Sequence, residues 1–193
     1  MIKKIKIILF LLFISLNAKA ENNFPSYGSK TSETKVVVKV FSSLTCPYCA
    51  EFHNKHLPKL IDKYVSSQKI MIELLDYPLD LAGLKAAQIQ KCLPSETQKK
   101  YLDEIYLTQS SWSSAKTLKE LETNLENIIK EFGISDKNFK NCLLNKKNED
   151  AVLQSRINAQ SKYNINSTPS FIINEKKFNG SFDQLDKYIE KLL

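Results

Sequence analysis

A chain of 193 residues, 42% hydrophobic and 25% charged, has the composition of a soluble globular domain of ordinary size, alone or carrying an insertion. That composition excludes a polytopic membrane protein and a disordered chain, and four glycines and six prolines exclude collagen-like and linker-dominated chains. The formal charge of +7 is high enough to suggest an anionic partner, so its distribution has to be followed along the chain.

Residues 1–20 read MIKKIKIILFLLFISLNAKA. Lys3, Lys4 and Lys6 form a basic start, Ile7 to Leu16 an apolar run, and Ala18-Lys19-Ala20 a small-x-small cleavage pattern. This is the pattern of a cleaved secretory signal peptide, with an apolar run too short for an ordinary membrane span. An uncleaved anchor is the alternative. No cysteine follows the cleavage pattern, which argues against a lipid anchor. The expected location is the periplasm. The remaining chain carries 24 basic and 21 acidic residues, a charge of only +3. Its lysines are spread along helical stretches, so no nucleic-acid surface is expected.

Residues 21–35 are polar and read as an irregular lead-in. Val36 to Phe41 is β-branched and almost wholly apolar, which predicts a strand buried on both faces. A polar loop follows. A helical pattern starts at Pro47, with Phe52, Leu57, Leu60, Ile61 and Tyr64 on one side and Pro58 predicting a kink. Lys69 to Tyr77 reads as a second strand. Residues 80–163 hold no convincing strand, and apolar residues recur there at helical spacing. Breaks are expected at Pro94, at 112–114 and at 133–136. Ser170 to Asn174 reads as a strand, Lys176 to Phe178 as its hairpin partner, and Asn179-Gly180 as a tight turn. Phe182, Leu185, Ile189 and Leu192 give a final helix one apolar face. The order β-α-β, helical block, β-β-α predicts an α/β fold with a mixed sheet.

All four cysteines lie beyond residue 20: Cys46, Cys49, Cys92 and Cys142. The first two form Cys46-Pro47-Tyr48-Cys49, where a buried strand passes through a loop into a helix. A helix N-terminus offers unpaired N–H groups and partial positive charge, and both favour a thiolate. The Cys46 thiol is therefore expected below its free value of ~8.5. Pro47 suits the first helical turn, where its missing N–H costs nothing. Cys49, one turn on, lies close enough to close and reopen a disulfide.

The segment Phe41–Phe52 (FSSLTCPYCAEF) resembles the active-site stretch of the DsbA family of exported thiol-disulfide oxidoreductases. Ser167-Thr168-Pro169-Ser170-Phe171 resembles that family's cis-proline loop. The resemblance implies a thioredoxin-like mixed sheet over residues 21–79 and 164–193, with an inserted all-helical domain over 80–163. It implies that Cys46 is the exposed nucleophile carrying a mixed disulfide with the client, and that Cys49 closes the internal disulfide. Thr168 would offer its backbone to a client strand, ahead of a cis bond to Pro169. The implied activity is introduction of disulfides into reduced exported client proteins, with reoxidation by a DsbB-like membrane quinone reductase. No cofactor is implied. The lead-in is too short for an added dimerisation domain, so a monomer is expected. One position departs from the family: Val40 stands where many relatives carry a buried acid, and the strand holds no acid at all. Lys39 is its only ionisable residue, expected at a sheet end with its head in water.

Three points remain to be weighed. Cys46, Cys49, His53 and His56 invite a zinc reading, but structural zinc sites draw ligands from two separated elements, so no metal is expected. His53 is read as a surface or semi-buried histidine, or as an electrostatic neighbour of the thiols. Cys92 and Cys142, 50 residues apart, are either two free cysteines or, as an oxidising compartment favours, a structural disulfide clasping the helical block. Closing that loop would add ~3–4 kcal/mol. Tyr48 lacks the charge a histidine there would offer, which predicts a milder oxidant than the ~ −120 mV of the strongest members. A reductase or isomerase working with the pair reduced, and a non-catalytic module on the same scaffold, are the alternative functions.

Overall fold

The computed structural model describes residues 24–193; the expected signal peptide lies outside the described residues. Among the described residues the chain forms one five-stranded sheet in the order β1-β3-β2-β4-β5. Its strands are β1 (Ser26–Tyr27), β2 (Val36–Ser42), β3 (Ile70–Asp76), β4 (Ser170–Ile173) and β5 (Lys176–Phe178). β2 and β3 run parallel, in register from Val36 opposite Ile70 to Ser42 opposite Asp76. The crossover between them is α1 (Pro47–Glu51), a π-helical turn (Phe52–His56) and α2 (Leu57–Tyr64). β4 pairs antiparallel with β2, and β5 with β4. β1 adds an antiparallel edge to β3, so the polar lead-in is not wholly irregular. Its pairing partner lies far along the chain, which two residues of local sequence could not reveal.

Pro58 disturbs the crossover helix one turn ahead of itself. The turn before it widens, and the Leu57 N–H reaches back to the Phe52 carbonyl, five residues away. A π-type turn is a known response to a local disturbance of the helical ladder.

From Leu81 to Tyr163 the chain is helical: α3 (Leu81–Gln90), α4 (Ser95–Leu107), α5 (Gln109–Ser113), α6 (Leu118–Lys130), α7 (Asp136–Leu143) and α8 (Lys146–Tyr163). Caps explain the starts. The side chains of Asp80, Thr117, Ser135 and Asn145 each accept from the backbone N–H three residues on, satisfying donors that the helix itself leaves open. α9 (Phe182–Glu190) begins with a Ser181–Gln184 capping box. The break expected at 112–114 falls at the far end of that span: Trp112 lies inside α5, which stops at Ser113. The indole is buried and donates to the Ile105 carbonyl, a tertiary use of Trp that outweighs the flanking serines.

β2 differs from expectation. Val36, Val38 and Val40 are fully buried, but Val37 and Lys39 are half-buried. One sheet face is covered by α1, α2 and α9, whereas the other is covered by the end of α8 around Phe41, Tyr77 and Ile172. The Lys39 head is held rather than free: it pairs with Glu175 and hydrogen-bonds the Tyr163 hydroxyl. The β4–β5 hairpin turns at Asn174 and Glu175, both at positive φ, ahead of the expected Asn179-Gly180 turn. Asn174 earns the position twice over, since its side chain also accepts from the Val37 N–H and donates to the Lys35 carbonyl. The larger buried cluster runs without interruption from the sheet into the helical block, through Ile89, Tyr101, Ile105 and Leu125. No helix among the described residues is long and apolar enough to cross a membrane.

Candidate active site

Cys46 ends the loop after β2 and stands as the N-cap of α1, with extended backbone and Pro47 inside the first turn. The N–H groups of Cys49 and Ala50 bond to the Cys46 carbonyl, which locks the two sulfurs onto the same side of the helix start. Both cysteines are free thiols. Cys49 is 1% exposed and Cys46 6%. Cys46 is more covered than an exposed nucleophile would be, because the loop at Thr168 lies over it: its thiol donates to the Thr168 carbonyl at 3.4 Å. The Thr168–Pro169 bond is cis. Tyr48, 67% exposed, projects from the dipeptide into an open groove of about 430 Å³ shared with Thr168, Pro169, Phe171, Phe178 and Phe182.

The acidities of the two thiols are driven apart. A hydrogen bond from Cys49 is the largest influence favouring the Cys46 thiolate. The Thr168 side chain and the backbone N–H groups of Cys49 and Tyr48 add to it, and against the cost of burial they bring Cys46 down to about 5. Burial first, and then the hydrogen bond to Cys46, push the Cys49 thiol far up. One sulfur is thus set to be a thiolate and the other a thiol, the division that disulfide exchange requires.

The helical block supplies the walls. The Gln109 amide donates to the carbonyls of Leu44 and Cys46, at 2.8 and 3.1 Å, holding the loop that carries Cys46. Behind Cys49 lies a cavity of about 20 Å³, bordered by Ser42 and Asp76 from the sheet, His53 from the π-helical turn, and Gln90 and Tyr106 from the block. Asp76 is paired with Lys91 at 2.7 Å, and both side chains are buried, 8% and 6% exposed. His53 is buried rather than superficial. Its Nε2 lies 2.7 Å from Asp103 Oδ1, and its ring packs on Tyr106. His56 instead stacks on Phe52 and leans against Phe182, away from the cavity that His53 shares with Cys49. Among the described residues no group of three or more His, Cys, Asp or Glu could hold a metal ion.

Cys92, just past α3, is joined to Cys142 in α7, with Cα atoms 5.9 Å apart. It stands away from the thiol pair but directly follows Lys91 and Gln90. Gln109, Tyr106, Asp103 and the Asp76–Lys91 pair were not legible as site residues. Each reaches the site across more than twenty residues of chain, and the nearest thing to a signal was the i, i+3 spacing of Asp103 and Tyr106 on one helical face.

A protein-family model described as thioredoxin matches residues 24–191. A protein of Rickettsia conorii, provisionally named protein-disulfide oxidoreductase, is 30% identical over 183 residues, covering 93% of this chain and 64% of its own length. A Bacillus anthracis protein, provisionally named disulfide bond formation protein D, is 29% identical over 175 residues, covering 87% of this chain and 77% of its own. The crystal structure of Wolbachia pipientis alpha-DsbA1 superposes with a TM-score of 0.76 at 26% identity, covering 88% of this chain and 90% of that one. The chain spans about 64% of the length of the rickettsial relatives it matches.

Proposed function

Since this chain belongs to the thioredoxin family, among DsbA-like thiol-disulfide oxidoreductases, we propose that it is an exported oxidase that passes the Cys46–Cys49 disulfide to reduced client proteins. A client thiolate attacks Cys46, the Cys46–Cys49 bond breaks, and Cys49 leaves with the electron pair and takes up a proton. A second client thiolate then attacks the client sulfur of the mixed disulfide and releases Cys46 as a thiolate. The client has lost two electrons and two protons, and the protein is left as the dithiol.

The observation that carries this reading is the asymmetry of the pair. A stabilised Cys46 thiolate favours the reduced protein, and a protein whose reduced form is stabilised is an oxidant. A value of about 5 lies between thioredoxin near 7 and DsbA near 3.5, in keeping with an oxidant of intermediate strength. The groove beside Tyr48 and the cis-proline loop suits an extended client segment. Export is supported by residues 1–20 and by the Cys92–Cys142 bond, which suits an oxidising compartment. Action as a monomer and reoxidation by a DsbB-like quinone-linked membrane partner complete the proposal. The test is the equilibrium potential of Cys46–Cys49 against glutathione on protein lacking residues 1–20. A value between roughly −230 and −130 mV supports the oxidase; a value near −270 mV makes the protein a reductase and overturns it.

A further inference from the structure

Cys49 must gain a proton when it leaves and lose one when the disulfide re-forms, yet it is almost completely buried and β2 offers it no acid. We propose that His53 is the proton-transfer group for Cys49, positioned by Asp103 and acting through the small cavity that both Cys49 and His53 border; this rests on the Cys46–Cys49 pair being the exchanging disulfide. The titratable groups facing the imidazole are Asp103 and Tyr106 from α4, Cys49 from its own helix and Asp76 across the cavity from β3.

Three observations carry the assignment. First, a carboxylate can only accept, so Asp103 Oδ1 at 2.7 Å requires the proton on Nε2 and leaves the other ring nitrogen as the base. Second, the cavity of about 20 Å³ is large enough for one water molecule, and its largely apolar wall is broken by Ser42, Asp76, Gln90 and Tyr106 beside His53, so a base acting through one water is within reach. Third, Asp103 is 64% exposed and the His53 side chain 5%, so the imidazole stands between a buried sulfur and a solvated carboxylate that offsets its charge when it is protonated. Asp76, the other candidate, is poorly suited. It is already committed to a buried ion pair with Lys91, and protonating it would give up that pair, which is unfavourable. Protonating His53 creates a cation already facing a carboxylate.

When a client thiolate breaks the Cys46–Cys49 bond, the departing Cys49 thiolate takes the Nδ1 proton of an imidazolium through the cavity, leaving His53 neutral with its Nε2 proton on Asp103, and Nδ1 regains a proton from solvent before the next cycle. In reoxidation the proton runs the other way. His53 takes it from the Cys49 thiol, Cys49 attacks Cys46 in a mixed disulfide, and the partner thiolate leaves.

The test follows closure of a Cys46–glutathione mixed disulfide, with glutathione release measured by quenched flow and mass spectrometry from pH 5 to 9. The His53→Gln variant is expected to close about 100-fold more slowly at pH 7 and to show a closure pH profile different from that of the wild type. The first step, attack of Cys46 on oxidised glutathione, is expected to stay fast. Asp103→Asn, at an exposed position, is expected to slow closure severalfold and keeps the proposal testable if His53→Gln does not fold. Wild-type rate and pH profile in these variants, or loss of closure in Asp76→Asn alone, would overturn the assignment. Failure of the wild type to close at all would instead remove the exchange reading on which it rests.

Discussion

Cys46 is the residue at which local structure has the largest chemical consequence. The same side chain in an unfolded chain titrates near 8.5; at the start of α1, beside Cys49 and Thr168, it titrates at about 5. Between those values the folded dithiol protein binds fewer protons than the unfolded chain, so its stability rises with pH. The contribution is fully present above about pH 9 and is lost as pH falls through about 5. Urea unfolding of the reduced protein is therefore expected to show a gap over a Cys46→Ala variant that widens from pH 5 to pH 9. A constant gap would contradict the depressed thiol. Thr168 makes a finer point. Its hydroxyl oxygen is buried without a hydrogen-bond partner, placed where its side chain favours the thiolate of Cys46. Thr168→Val is expected to move the thiolate absorbance titration upward while leaving the fold intact.

Among the elements, α3 ties three features together. Asp80 caps its start, Gln90 and Lys91 bring its end to the cavity and to Asp76, and Cys92 fastens that end to α7. The disulfide closes a loop of 50 residues, for which the chain-entropy model gives about 4 kcal/mol. The Cys92→Ala/Cys142→Ala double variant is expected to lose stability of that order in urea, with the Cys46–Cys49 pair still present. A loss under about 1 kcal/mol would mean that α3 and α7 hold together by packing alone. The π-helical turn is the second element of interest. It sits between the thiol pair and Pro58, and it carries His53 buried toward α4 while its other histidine, His56, stacks among phenylalanines.

For the molecule as a whole, the thiol pair belongs neither to the sheet nor to the helical block but to their contact. Gly83, in the first turn of α3, marks how close that contact is. A Cβ there would come within 2.9 Å of Ser43 Oγ and 3.2 Å of Thr45 Oγ1. Those hydroxyls are not free to swing away, since they bond each other at 2.9 Å and Ser43 also receives the Leu79 N–H. Gly83→Ala should gain up to about 1 kcal/mol of helix propensity and lose a similar amount to the clash. Stability is thus expected to change little, while the alkylation rate of Cys46 at pH 7 changes severalfold because its loop is displaced. An unaltered rate would show that the block merely rests against the loop.

What the sequence determined by itself is the part of this protein governed by neighbours along the chain. The β-branched run of β2, the helical periodicity of 80–163, the caps and the placement of Cys46-Pro47-Tyr48-Cys49 at a strand-to-helix passage are all local, and the resemblance at 41–52 and 167–171 added the family. The tertiary structure decided the rest: that Gln109 grips the loop carrying Cys46, that Asp76 pairs with Lys91 at the edge of the cavity behind Cys49, that His53 turns inward to Asp103, and that β1 completes the sheet edge. The reason is physical. Backbone propensity and hydrophobic period act over one or two turns, whereas the polar groups around a buried thiol come from distant segments, Gln109 and Thr168 lying 63 and 122 residues from Cys46, and only packing tells which of many equally polar side chains loses its water.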